Sequence, residues 1–133
     1  MSITPIYAGL ATFIFIFLSF QVIRGRRAVG VALGDGGNRA LLRRQRAHGN
    51  FAEYVPLAIL LMVLAELQGA PALTLQLIGV ALLAGRLVHA YAVTREPEPI
   101  KLRVLGMTLT FVALVTGAVT NLGIGGLAAL LPS

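Results

Sequence analysis

The sequence predicts an all-α fold, a four-helix bundle whose helices cross a membrane. Three observations lead there. Of the 133 residues, 57% are hydrophobic and only 12% are charged, about half the charged share of an ordinary soluble domain. The charges are also bunched. None lies between Met1 and Ile23, between Tyr54 and Ala65, between Leu67 and Gly85, or from Val104 to the C-terminus. A helix needs roughly 20 mostly apolar residues to cross about 30 Å of hydrocarbon, and these runs form the bodies of such segments. Finally, the stretches "GDGGN", "QGAP" and "REPEP" carry the glycines and prolines that punctuate helices.

The first helix is expected over about Thr4 to Ile23. It lacks a positive leader, and "SFQVIRGRR" puts its charge after the apolar stretch, which is the pattern of a retained span rather than a cleaved signal peptide. Gly34, Gly36 and Gly37 then mark a flexible loop, too sparse and too far from any strand to cradle phosphate. The second helix is expected over about Arg39 to Gln68. At 1.5 Å per residue it is longer than the hydrocarbon requires, so its basic first turns project from the membrane. After "QGAP" the third helix spans about Ala72 to Thr94. After "REPEP", whose prolines oppose helix, the fourth spans about Lys101 to Leu122. "GIGG" is expected to break it, leaving "LAALL" as a short apolar tail. The whole chain, residues 1–133, reads as a single membrane domain.

The formal charge of +6 invites a nucleic-acid reading, but seven of the eleven basic residues lie between Arg24 and Arg46, beside membrane spans. Basic residues there set orientation and touch anionic lipid; nucleic acid is not an expected partner. Every Lys and Arg outside the spans sits in the loop after helix one or the loop after helix three. By the positive-inside tendency both loops face the cytoplasm and both termini face away. There is no cysteine, which excludes disulfides, thiolate metal sites and a protein thiol nucleophile. Two histidines without an acidic cluster argue against a metal centre.

The chemistry-bearing stretch is "RQRAHGNFAEYVP", Arg44 to Pro56. At 100° per residue Arg43, Arg46, Asn50, Glu53 and Leu57 fall within about 80° of one another, with Tyr54 bordering and His48 roughly opposite. A charge at the bilayer centre costs at least about 2.5–3.5 kcal/mol, so this stripe is expected to face protein or a wet cavity. Pro56 frees the Ala52 carbonyl one turn back. In the simplest arrangement Arg46 with Glu53, or Arg43 with Asn50, pair and hold helices together. One glutamate does not neutralise Arg43, Arg46 and the Arg24, Arg26 and Arg27 cluster. An anionic ligand bearing carboxylate explains the surplus, since guanidinium binds carboxylate bidentately; anionic lipid headgroups explain it too. In helix three, "GRLVHAY" places Arg86 and His89 on one face, while Lys101 and Arg103 open helix four at the same level. Glu66, Glu96 and Glu98 read as solvated.

"RRQRAHGNFAEYVP" resembles the second-helix signature of the MAPEG family, membrane-associated proteins in eicosanoid and glutathione metabolism. That signature is roughly Arg-Ala-(His/Gln)-x-Asn-x-x-Glu-x-x-Pro, met by Arg46, Ala47, His48, Asn50, Glu53 and Pro56. "QVIRGRRA", "GRLVHAY" and "RVLGMTLT" extend the resemblance over nearly the whole chain, toward a bacterial-type member in the inner membrane. It implies a homotrimer with ligand sites at subunit interfaces and glutathione as co-substrate. It implies that Arg26 and Arg46 take carboxylates, that Glu53 takes the α-ammonium, and that Asn50, Tyr54 and Arg86 belong to the same network. His89 stands near a position that bears a tyrosine in the leukotriene-type enzymes. An arginine opening helix four stabilises the thiolate in the family's transferases; Arg103 matches it, with Lys101 as the alternative.

The expected activity is therefore glutathione-dependent transferase or peroxidase chemistry on lipophilic electrophiles that arrive from the bilayer. The alternative is a non-catalytic membrane protein binding glutathione or lipid on the same scaffold. An exporter would want a carboxylate deep within a span, and the candidates lie near helix ends.

Overall fold

A computed structural model describes residues 2–130, apart from the side chains of residues 128 and 129. Four helices follow one another: α1 (Thr4–Val29), α2 (Arg39–Leu67), α3 (Ala72–Thr94) and α4 (Ile100–Leu130). All four are long and apolar enough to cross a membrane, and no strand occurs among the described residues. With their helix-joining loops short, the helices run alternately up and down, so the α1–α2 and α3–α4 loops share one end, hereafter the basic end.

Two boundaries differ from expectation. The first helix does not stop at Ile23 but continues through the arginines to Val29, where Gly30 closes it with a left-handed φ of 76° and donates its N–H to the Arg26 carbonyl at 2.8 Å. Leaving the bilayer does not end a helix; arginine is a good helix former, and only a left-handed glycine cap terminates the run. The fourth helix passes straight through "GIGG" to Leu130; Leu131, the last residue of the expected apolar tail, lies outside the described residues. Glycine weakens helix in water, but in hydrocarbon the backbone has no alternative partner, which favours helix across the same residues.

Asn38 starts α2 as its N-cap, its side-chain oxygen accepting from Leu41 N–H at 2.9 Å, as such caps do. The opposite end has a cross-helix cap. α1 has no side-chain cap of its own; instead the Glu66 carboxylate, near the end of α2, accepts from the N–H groups of Ser2 (2.6 Å), Ile3 (2.9 Å) and Thr4 (2.9 Å). Glu66 is thus not a merely solvated side chain. Its anion neutralises the orphan donors and the positive end of a helix dipole.

The core joins Tyr7, Ala11 and Leu18 of α1, Phe51, Val55 and Met62 of α2, Ile78 and Leu82 of α3 and Ala113 of α4. The closest approach is between α3 and α4, where Gly85 faces Gly106. A Cβ on Gly106 would stand 2.6 Å from the His89 backbone nitrogen, and one on Gly85 would stand 2.8 Å from the Gly106 carbonyl oxygen. Glycine is required there because backbone meets backbone. Gly117 likewise packs within the bundle, 3.1 Å (measured from an added Cβ) from Leu61 on α2.

Candidate functional site

The site is built around Arg86, which is 1% exposed. Its Nε donates to Thr110 Oγ1 of α4 at 3.0 Å, and its Nη1 donates to Asn50 Oδ1 of α2 at 2.6 Å. Nη2 lies 3.3 Å from Met107 Sδ, and the guanidinium carbon sits 5.6 Å from the centroid of the Tyr54 ring. The cation is held by neutral acceptors and a π face, with no carboxylate. Three helices are therefore tied by one side chain.

Asn50 also lines a cavity of about 240 Å³ at the basic end, together with Arg39, Arg43, Arg46, His89, Glu98 and Arg103. The "REPEP" loop carries Glu98 over the cavity, where its carboxylate accepts from Arg103 Nη1 at 3.0 Å and from Arg43 Nη1 at 3.4 Å. Arg43 also donates to the Val93 carbonyl at 3.2 Å. At the rim Glu96 pairs with Arg39 at 3.0 Å, both well exposed. Glu98 is covered and ion-paired rather than free in solvent, because the loop lies across the basic first turns of α2, whereas Glu96 is exposed as expected. Among the described residues, four guanidiniums still meet only these two carboxylates. The cavity keeps a cationic surplus that carboxylate or thiolate would satisfy.

Of the residues singled out in the sequence, Arg46, Asn50, His89 and Arg103 converge on this cavity, and Arg86 with Tyr54 supports Asn50 from beneath. Tyr54 is half-buried, edge-on to Phe111 with centroids 5.7 Å apart. Three do not converge on it. Arg26 donates to the Ala32 carbonyl at 2.9 Å and lines a separate shallow recess at the end of α1. Lys101 is exposed and does not border the cavity. Glu53 is exposed on α2 and makes no ion pair or hydrogen bond with any described residue.

The stripe on α2 therefore divides instead of facing inward as a whole. Arg43, Asn50 and Tyr54 stand at the border of the face that buries Ala47, Phe51 and Ala58, while Arg46, Glu53 and Leu57 are exposed. The Arg46–Glu53 and Arg43–Asn50 pairings do not form, since Asn50 turns to Arg86 and Arg43 to Glu98. A stripe some 80° wide straddles the edge of a buried face readily. His48, on the far side of the stripe, meets Ser19 Oγ at 3.0 Å and stacks on Phe15.

Sequence reasoning missed Glu98 and Thr110 as members of the network. Thr110 had a readable signal, because Arg103, Gly106 and Thr110 share a helical face at i, i+3 and i+7. Glu98 had none, being delivered by loop geometry.

The family model described as MAPEG family matches residues 4–123. Among curated proteins the chain is similar to the inner membrane protein YecN of Escherichia coli K12. The two are 38% identical over 120 residues, which is 90% of this chain and 90% of the relative. The inner membrane protein YecN of Escherichia coli O6:H1, strain CFT073, matches with the same identity and coverage.

Proposed function

The chain belongs to the MAPEG family and is a multi-pass membrane protein; from that premise we propose that it is a glutathione-dependent transferase or peroxidase of a bacterial inner membrane, working as a homotrimer on lipophilic electrophiles. The observation that carries the reading is the cationic surplus around Asn50: Arg39, Arg43, Arg46 and Arg103 against Glu96 and Glu98. Glutathione brings two carboxylates and a thiol, and planar guanidiniums suit both kinds of anion. Arg46 and Arg43 would hold carboxylate, and Asn50, fixed by Arg86, would orient the peptide.

Glutathione supplies the nucleophilic sulfur. A thiol with an ordinary pKa of about 8.5 is mostly protonated at pH 7. A guanidinium within about 4–6 Å lowers such a pKa by about 1–3 units, and Arg103, which lines the cavity, would do this. Glu53 and Arg26, which stay outside the cavity of one subunit, are the groups a neighbouring subunit would bring to it. That arrangement would also relieve Glu53 of facing lipid without a partner, a costly position. Both basic loops would face the cytoplasm.

One observation favours the non-catalytic alternative: Arg103 is already paired with Glu98 at 3.0 Å. A binder would leave that pair intact. Calorimetric titration of detergent-purified protein with glutathione, followed by a conjugation assay with an aromatic halide, separates the readings. Binding with conjugation supports the enzyme. Binding without a thiolate absorbance band leaves the binder, and absence of binding removes both.

A further inference from the structure

On the opposite flank of the bundle, α1 and α3 part company. Near the start of α1 they are in tight contact: the Tyr7 ring lies 2.5 Å from where a Gly79 Cβ would be, and the Tyr7 hydroxyl bonds the Gln76 side chain. Toward the basic end they separate, leaving a cleft of about 690 Å³ between them. This is within the roughly 300–1,000 Å³ range of small-molecule sites. Ile14, Phe17 and Leu18 of α1 and Leu87 and Val88 of α3 line its body, while Gln21, Arg44, Tyr91 and Arg95 border it at the basic end.

Neither arginine meets a carboxylate among the described residues. There Arg44 donates only to the Gln21 carbonyl, at 3.4 Å, and Arg95 lies over the Tyr91 ring at 4.5 Å. The carboxylates of Glu96 and Glu98 are engaged on the other side of α2, with Arg39, Arg43 and Arg103. An apolar slot between two candidate spans thus ends in two guanidiniums with no carboxylate partner among the described residues, at the end of the spans where flanking cations meet anionic headgroups. A soluble anion would use the cations but has no need of the slot, and a neutral lipid would use the slot but not the cations.

We propose that the α1–α3 cleft is a binding site for one anionic phospholipid. An acyl chain lies between Phe17 and Leu87, and Arg44 with Arg95 holds the phosphate, for which guanidinium geometry is suited. The site is separate from the cavity around Asn50 and does not depend on glutathione.

The test is native mass spectrometry of the full chain from mild detergent micelles doped equally with phosphatidylglycerol and phosphatidylcholine of the same acyl chains. Wild-type protein retains phosphatidylglycerol preferentially. Each arginine near an anionic headgroup contributes about a fivefold preference, so Arg44→Gln with Arg95→Gln removes the selectivity almost entirely. Arg24→Gln with Arg27→Gln, which deletes two exposed charges elsewhere at the same end, leaves it in place. Leu87→Trp fills the slot and lowers retention of both lipids while keeping the charges; with Arg95→Gln alone, it decides the matter if the double variant does not fold. Excess inorganic phosphate does not displace the lipid. Equal retention of the two lipids by wild type overturns the assignment, as does unchanged selectivity in the Arg95 and Arg44 variants. Displacement by phosphate alone, or an equal loss in the Arg24 and Arg27 variant, overturns it too.

Discussion

Asn50 Oδ1 accepts from Arg86 Nη1 at 2.6 Å, joining α2 to α3 at the floor of the cationic cavity. Since Arg86 is buried without a carboxylate, this amide oxygen is its principal acceptor on α2. Truncation by Asn50→Ala is expected to destabilise the protein by about 1.5–3 kcal/mol, the range for hydrogen bonds to charged groups. Asn50→Asp, which keeps an oxygen facing the guanidinium, should retain most of the stability. Thermal unfolding in detergent checks both; an unshifted midpoint for Asn50→Ala would mean that Thr110, Met107, Tyr54 and the residue-50 carbonyl, which accepts from Arg86 Nη1 at 3.4 Å, hold Arg86 without the amide.

Gly106→Ala forces a Cβ to within 2.6 Å of the His89 nitrogen, and neither backbone can give way without separating α3 from α4. The expected cost is about 1–3 kcal/mol, as for other overpacked sites. Gly123→Ala, in the same helix but with nothing within 4 Å, serves as the control. It should be neutral or slightly stabilising, because alanine is the better helix former. Equal effects from the two would refute the close backbone contact.

Arg103→Ala removes a cation without opening a large core cavity, so the fold should survive. Glutathione should bind with modestly reduced affinity, while the ultraviolet band of bound thiolate and the conjugation rate fall sharply. Arg103→Lys should recover part of both, since a point charge still favours thiolate but lacks the planar fork. If Lys101→Ala abolishes the band and Arg103→Ala does not, the thiol faces Lys101.

Glu53 should be coupled to assembly. Native mass spectrometry in mild detergent is expected to give a trimer for wild type and a trimer that dissociates more readily for Glu53→Leu. Replacing Arg46 and Glu53 together by apolar residues should restore the trimer if the two pair across subunits. It should also lower glutathione affinity if Glu53 takes the ammonium. A monomeric wild type would sink the proposal.

The four spans were legible because hydrocarbon imposes a length and an apolar composition on any helix that crosses it. The pattern is one-dimensional. That Arg46, Asn50, His89 and Arg103 lie close together was legible because each is a polar group at the basic end of a span. What Asn50 and Glu53 do was not readable from their shared stripe: Asn50 turns to the buried Arg86 and Glu53 is exposed. That division depends on where α3 packs, which helical spacing alone does not encode. The roles of Glu66 and Glu98 escaped for a related reason. Each meets partners distant in sequence, Glu66 at Ser2 to Thr4 and Glu98 at Arg43.

The cap formed by Glu66 also fixes the mechanics of the first helix. α1 touches α2 and, weakly, α3, but has no contact with α4. Its start is pinned by Glu66 and by Tyr7 at Gln76, and its far half is held on α2 by Ser19 at His48, by the Gln21 carbonyl at Arg44 and by Gly25 against Leu41. α1 is therefore fastened to α2 along its length, while its α3 side is in contact only near the start. Its 26 residues span about 39 Å at 1.5 Å per residue. The width of the cleft and the position of Arg26 thus depend on the same α1–α2 contacts.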